Sequence, residues 1–135
     1  DKAQDYIQEL SRVLRYTLQS NESQCVSLRE EMEFVSAYIF LLKMRFENNL
    51  QFDIQISNAY EEYLLPPMAV QVLIENAVKH NEISKPKWTA TSGTGIGLAN
   101  LAKRYRLLFK RDIQITEDRE FTVCIPLIEK SQLEQ

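Results

Sequence analysis

The segment Gly93-Thr94-Gly95-Ile96-Gly97 holds all three glycines of this 135-residue chain, and a helix-like run over residues 98–109 follows it at once. Glycine lets backbone amides approach an anion closely, and it adopts positive φ angles without a steric cost. A helix N-terminus adds N–H groups without intrahelical partners and a partial positive charge. The segment therefore predicts a phosphate-binding loop at the start of a helix.

The composition is that of a single globular domain. Hydrophobic residues make up 44% and charged residues 26% of the chain, close to the globular average. The net charge of −3 gives no electrostatic reason to expect nucleic acid or an anionic membrane surface as a partner. No apolar run approaches the ~20 residues that span a bilayer. Cys25 and Cys124 fit no metal-binding spacing, so we expect reduced thiols.

Three segments in the first half of the chain have regular apolar patterns. Residues 1–20 carry apolar side chains at helical spacing. Ser27 and Glu30 form a capping box, which begins a second helix that we expect to end near Asn48. Residues 50–56 alternate apolar and polar side chains, which predicts a half-buried strand.

The second half is expected to contain two more helices and a hairpin. A helix is predicted from Pro66 and Pro67 to about His80, with an apolar face formed by Val70, Leu73, Ile74, Ala77 and Val78. The glycine segment and a fourth helix follow it. Residues 112–116 and 121–125 read as a hairpin joined by a charged turn. Helices and strands that do not alternate regularly indicate an α+β fold, with the helices on one face of a sheet.

A polar stripe on the third helix is the second chemical signal. Asn76, Lys79 and His80 stand at i, i+3 and i+4 and share one face, away from the apolar one. An amide oxygen is a suitable Mg²⁺ ligand when phosphate and water oxygens complete the octahedron. Lysine offsets phosphate charge, and Glu75 can orient an attacking group. A solvated polar edge has the same pattern, so the stripe alone does not establish a site.

The glycine segment taken alone is equally ambiguous. No Gly-Lys-Ser/Thr follows, so it is not a Walker P-loop. The third glycine of a dinucleotide fingerprint would fall at Leu98. A structural turn rich in glycine remains open, and the segment gains meaning from the polar stripe before it.

Five ordered segments resemble sensor histidine kinases of the autolysin-sensor (LytS/YehU-like) group within the GHKL ATPase superfamily. Residues 65–80, LPPMAVQVLIENAVKH, look like the N box of that group, and residues 93–105, GTGIGLANLAKRY, look like its second glycine box. Residues 10–18 resemble the segment after the phosphoacceptor helix, residues 26–46 the linking helix, and residues 121–126 the closing strand.

This resemblance implies that ATP binds in a two-layer helix-on-sheet sandwich of the Bergerat (GHKL) type. Residues 1–48 would be a helical stalk remnant, and residues 49–135 would be the ATP-binding domain. Asn76 would hold Mg²⁺, Lys79 and His80 would approach the phosphates or the edge of the adenine pocket, and Glu75 would polarise the reacting group. The other positions implied in binding ATP or its phosphates are Gly93, Thr94, Gly95, Ile96, Gly97, Leu98 and Thr122.

The chain departs from the family in two places. The phosphoacceptor histidine is expected upstream of residue 1, in a longer protein with transmembrane segments, so this piece alone is not expected to autophosphorylate. Only eleven residues, 82–92, separate Asn81 from Gly93, too few for the two strands and the Asp-x-Gly-x-Gly box of the family. An omitted segment near Lys85 and Pro86, a degenerate relative and a different binding mode all remain open. We favour the omitted segment.

The function implied by the resemblance is that of the ATP-binding catalytic region of a two-component sensor histidine kinase. Such a kinase transfers the γ-phosphoryl group of ATP to a histidine upstream of this chain and then to a response regulator. We expect a homodimer formed through the N-terminal helices, and a location in the cytoplasmic portion of a bacterial inner-membrane protein. The alternative is a dimerisation and signalling scaffold with a degenerate nucleotide pocket and no kinase activity. A GHKL ATPase of another kind is disfavoured, because residues 1–48 resemble the kinase stalk.

Overall fold

The computed structural model describes residues 1–20, 24–47, 49–81 and 94–133, and it divides the chain into two compact units, Asp1–Met68 and Ala69–Gln135. The first unit contains α1 (Lys2–Ser20), β1 (Val26–Ser27), α2 (Leu28–Arg45), a short 3-10 helix (Asn58–Tyr60) and β2 (Leu64–Leu65). The second contains α3 (Ala69–Asn81), α4 (Thr94–Phe109), β3 (Gln114–Glu117), β4 (Phe121–Cys124) and α5 (Lys130–Leu133). The predicted α+β class is confirmed. The two-layer sandwich remains a prediction, because each described sheet has two strands.

The two predicted N-terminal helices are confirmed, and they pack against each other. The ring of Tyr16 in α1 stacks on that of Phe34 in α2, with the ring centroids 4.4 Å apart. Helix α2 begins directly after Ser27, whose Oγ accepts a hydrogen bond from the Glu30 N–H at 3.1 Å, so the predicted cap sets this boundary. The helix ends at Arg45, earlier than expected, and Glu47 is left-handed with φ 52°.

The predicted strand over residues 50–56 is wrong. The structure has no strand there, and Ile54 and Ile56 are 50% and 42% exposed. Alternation of apolar side chains defines the two faces that a strand would have, but it does not supply a partner for the backbone. Among the described residues, none pairs with this segment. The sheet of this unit is instead the two-residue ladder of Val26 with Leu65 and Ser27 with Leu64, which is too short to leave a periodic signal in the sequence.

Helix α3 begins at Ala69, later than the predicted start at Pro66 and Pro67. Met68 is the reason, because its φ of 65° lies in the left-handed region and cannot belong to a right-handed helix. The predicted apolar face of α3 is also wrong at two positions. Asn76 is buried, with 4% of its surface exposed, whereas Ala77 is exposed.

Packing of α3 against α4 explains where Asn76 lies. Val72 and Asn76 stand four residues apart and therefore share one face of α3. A Cβ atom added to Gly97 of α4 would lie 3.5 Å from Cγ1 of Val72, so this face points toward the first turns of α4. The buried position of Asn76 follows from that packing.

Gly95 and Gly97 do not form a loop ahead of the helix as predicted. Helix α4 begins at Thr94, so Gly95 and Gly97 lie within its first turns. The φ angle of Gly97 is outside the left-handed region. The described role of Gly97 is therefore close packing on Val72, and Gly93 falls outside the described residues.

The C-terminal hairpin is confirmed, with Gln114 opposite Cys124 and Glu117 opposite Phe121. Glu117 belongs to β3 rather than to the turn. Tyr105 of α4 is fully buried, and its hydroxyl donates to the Pro126 carbonyl at 2.8 Å. This bond connects α4 to the segment that follows the hairpin.

Lys110 ends α4 in the left-handed conformation, with φ 56°, and its N–H donates to the Arg106 carbonyl at 3.1 Å. Glycine is the residue that suits this position. We therefore expect Lys110→Gly to raise the free energy of unfolding by about 1 kcal/mol, because glycine avoids the steric cost of positive φ. Lys110→Ala removes the same side chain but keeps that cost, and it should show no such gain in chemical denaturation.

Substitutions at Gly97 test whether its role in the fold is packing on Val72. At 3.5 Å an added methyl group makes an ordinary contact, and alanine favours a helix by about 1 kcal/mol over glycine. Gly97→Ala should therefore fold with unchanged or higher stability. Gly97→Leu must displace Val72 and should lower the free energy of unfolding by about 1–3 kcal/mol. Equal stability of the two variants in thermal denaturation would contradict the packing.

Candidate nucleotide-binding site

The side-chain oxygen of Asn76 is the unusual atom of α3. Asn76 Oδ1 is buried, and it has no hydrogen-bond partner in the part of the chain that the structure describes. Leaving such an oxygen unpaired costs about 1–3 kcal/mol of folding free energy. A ligand that supplied a partner would recover that cost. A carboxamide oxygen suits a Mg²⁺ ion whose other ligands are phosphate and water oxygens, so Asn76 fits the predicted metal.

The amino end of α4 lies on the same side of α3 as Asn76. Val72 faces Gly97, the fourth residue of α4, and Asn76 stands one helical turn from Val72. The N–H groups of residues 94–97 are the first four of the helix, and such groups lack intrahelical acceptors. Together with the helix dipole they favour a negatively charged group at this end. The structure therefore brings an unpaired oxygen and an anion-attracting helix end to one helix–helix contact.

The predicted pair Glu75 and Lys79 makes an ion pair, with Nζ 3.0 Å from Oε1. Gln71 Nε2 donates to the other carboxylate oxygen, Oε2, at 2.9 Å. Both oxygens of Glu75 are therefore engaged by side chains of the same helix. The two charged side chains remain 44% and 37% exposed, so a pair of this kind contributes about 0.3–0.5 kcal/mol. An incoming phosphate could displace Glu75 from Lys79 at small cost.

Gln71 was not among the predicted site residues. The signal for it was present in the sequence, since a glutamine four residues before a glutamate can form a hydrogen bond along a helix. Its effect is to hold the Glu75 carboxylate in one orientation.

For several predicted site residues, the structure does not test the predicted role. His80 belongs to α3, and Thr94, Gly95 and Ile96 belong to α4. The side chains of His80, Thr94 and Ile96 fall outside the described part of the chain. Leu98 is buried, with 7% of its surface exposed. Their roles, and that of Gly93, remain predictions.

Thr122 forms no described bond with the other predicted site residues. It is exposed on β4, where it stands opposite Thr116 of β3. Within the described residues, no hydrogen bond or ion pair joins Thr122 to α3 or α4. Its role beside the adenine remains a prediction.

The described residues contain no group of three or more His, Cys, Asp or Glu side chains that could hold a metal. A metal at Asn76 would therefore take most of its ligands from phosphate and water.

Cavities of about 610 Å³ and 360 Å³ lie in the first unit. The larger is lined by α1 and α2, and the smaller by α2 and residues 54–61. Asn76 lines neither cavity, and its unpaired oxygen identifies a specific ligand chemistry that cavity size does not. Within the described ranges, none of the helices is long and apolar enough to cross a membrane.

Comparison with known proteins gives the family context. Residues 1–50 match the family model described as histidine kinase. The chain is 34% identical over 80 residues to the sensor histidine kinase/phosphatase LytS of Staphylococcus aureus strain Mu50, and equally to that of strain N315. The matched part covers 59% of this chain and 14% of each relative. No solved structure matches the chain significantly.

The family match falls on α1 and α2, whereas the candidate nucleotide site lies on α3 and α4. The match of residues 1–50 and the 34% identity to LytS confirm the resemblance of this chain to LytS-like sensor histidine kinases.

Proposed function

We propose that α3 and α4 form the phosphate side of a Mg²⁺-ATP site in a two-component sensor histidine kinase. The observation that carries this proposal is the buried, unpaired Oδ1 of Asn76 on the face of α3 that packs against the amino end of α4. Similarity to a sensor histidine kinase/phosphatase supports the class of reaction. Bound ATP would supply the γ-phosphoryl group, which passes to a histidine of the kinase while ADP leaves.

The residues of this chain would act by positioning and by balancing charge, which are the main contributions to phosphoryl transfer. Asn76 would fix the metal from one side, and the amino end of α4 would attract the phosphates. Lys79 would turn from Glu75 toward the phosphate charge. That movement frees Oε1 of Glu75, which could then orient the attacking histidine, while Gln71 keeps the carboxylate in place.

The proposed partners are a response regulator and a second copy of the chain. Helix α1 buries one side against α2 and leaves three large apolar side chains exposed on its other side, namely Ile7 at 62%, Leu14 at 54% and Leu18 at 71%. Exposed apolar side chains at helical spacing are suited to a helix–helix interface. A kinase needs ATP, which is found in the cytoplasm. The proposed location is therefore the cytoplasmic side of a bacterial membrane. The exposed face also suits the alternative function, a dimeric signalling scaffold without kinase activity.

Asn76→Leu separates the folding role of Asn76 from its role as a ligand. Leucine has a similar volume and removes the unpaired oxygen, so the free energy of unfolding should stay unchanged or rise by about 1–3 kcal/mol. Binding of Mg²⁺-ATP, measured by calorimetry, should fall by at least about tenfold, because a metal ligand is lost.

Asn100→Leu is the matched control, since Asn100 is an exposed asparagine on α4. This variant should bind Mg²⁺-ATP like the unchanged protein. If the unchanged protein binds no Mg²⁺-ATP, the kinase proposal fails and the scaffold function is favoured. Equal affinity of Asn76→Leu and the unchanged protein would refute the ligand role.

Leu14→Lys tests the proposed homodimer. A charge in the middle of the exposed face of α1 should weaken self-association by at least about tenfold, because desolvating an unpaired charge is costly. Sedimentation equilibrium measures the change. Leu107→Lys is the control, because Leu107 is 83% exposed on α4 and lies outside the face. Dimerisation that survives Leu14→Lys would rule out this surface.

A further inference from the structure

The first unit contains a fully buried carboxylate that the proposed chemistry does not use. Glu31 of α2 has 0% of its surface exposed. A buried carboxylate is retained only where donors compensate for its lost hydration. The groups that donate hydrogen bonds to Glu31 therefore show which segments this residue holds in place.

Two donors reach the same oxygen atom of Glu31 from different parts of the unit. The Tyr16 hydroxyl of α1 donates to Oε1 at 2.5 Å, and the backbone N–H of Met68 donates to Oε1 at 3.0 Å. A single oxygen thus connects helix α1 to the last residue before α3. Each bond compensates for part of the same buried charge, so the loss of one weakens the position of the other.

Met68 is held in a conformation that its side chain disfavours. Its φ angle is 65°, in the left-handed region that a non-glycine residue enters at a steric cost. Pro66 and Pro67 before it are buried. The bond to the carboxylate offsets the cost at Met68, and it thereby holds the residue directly before α3 in this conformation.

Tyr16 is suited to remain the donor. Burial, the hydrogen bond to Glu31 and the nearby negative charge raise the pKa of the Tyr16 phenol above its usual range. The O–H group therefore persists at and above neutral pH. The stack of its ring on Phe34 holds the hydroxyl in place independently of the hydrogen bond.

We propose that Glu31 is a positioning residue that couples helix α1 to the turn from which the helix bearing Asn76 begins. Displacement of Tyr16 by a movement of α1 leaves the buried charge with less compensation. The carboxylate then moves toward water, Met68 loses its acceptor, and the start of α3 is released. The effect on nucleotide affinity rests on the function proposed above, whereas the coupling itself does not.

Amide hydrogen exchange at Met68 measures the coupling directly. Pro66 and Pro67 carry no N–H, so the only exchangeable backbone hydrogen within residues 66–68 belongs to Met68. Tyr16→Phe keeps the ring and removes only the hydroxyl. In the full chain this substitution should accelerate exchange at Met68 by about tenfold or more, the loss expected for a hydrogen bond to a charged group. Affinity for Mg²⁺-ATP should fall at the same time.

Tyr6→Phe is the matched control, because Tyr6 lies on α1 and is 40% exposed. It should leave both the exchange at Met68 and the affinity unchanged. Glu31→Gln keeps an acceptor oxygen of the same reach and should protect Met68 better than Glu31→Leu does. This order of protection decides the proposal if Tyr16→Phe fails to fold.

Two results would overturn the proposal. If Met68 exchanges at the same rate in Tyr16→Phe and the unchanged protein, α1 is not coupled to the turn. If exchange accelerates while the affinity for Mg²⁺-ATP stays constant, the turn has no positioning role. Failure of the unchanged protein to bind Mg²⁺-ATP is a different outcome. It rejects the proposed function, while the exchange rates still decide the coupling.

Discussion

Close contact between α3 and the amino end of α4 is the constraint on which the candidate site depends. Gly97 lies in this contact, where a Cβ atom would stand 3.5 Å from Cγ1 of Val72 and a larger side chain would displace it. The same contact buries Asn76 one turn away and leaves its Oδ1 without a partner among the described residues. A folded chain tolerates an unpaired buried oxygen only at a cost in stability. Structural positions that carry such a cost are often functional ones, since a ligand can recover the cost when it binds.

The charged side chains on α3 form weak pairs that a bound anion could replace. Lys79 is held by Glu75, and Glu75 is also held by Gln71, all on one half-buried edge of α3. Such surface pairs are weak, so a phosphate group can compete for the lysine. Glu31 is different, because its full burial makes its hydrogen bonds to Tyr16 and Met68 costly to lose. The Glu75–Lys79 ion pair is therefore easily broken by a ligand, whereas the hydrogen bonds of Glu31 in the first unit are not.

Local signals in the sequence predicted the elements that local interactions stabilise. The apolar spacing of α1 and the Ser27 cap of α2 predict these helices correctly, because a helix and its cap are formed by residues a few positions apart. The hairpin of β3 and β4 was also found, since its strands are joined by a short turn. Residues 50–56 had the alternation of a strand but lack a partner in the described chain. Pairing is a property of two segments, and alternation in one of them does not reveal it.

The amino-acid sequence by itself determined the helices and their polar and apolar composition. It placed Asn76, Lys79 and the three glycines in the order found in sensor histidine kinases. It also determined the resemblance that the comparisons confirmed. Only the tertiary structure decided that Asn76 is buried rather than solvated, that Gly97 is a packing residue within α4, and that Glu31 bonds to Tyr16 and Met68. The physical reason is that burial and hydrogen-bond partnership depend on which faces meet. Residues 37 positions apart, such as Glu31 and Met68, share no local signal of that meeting.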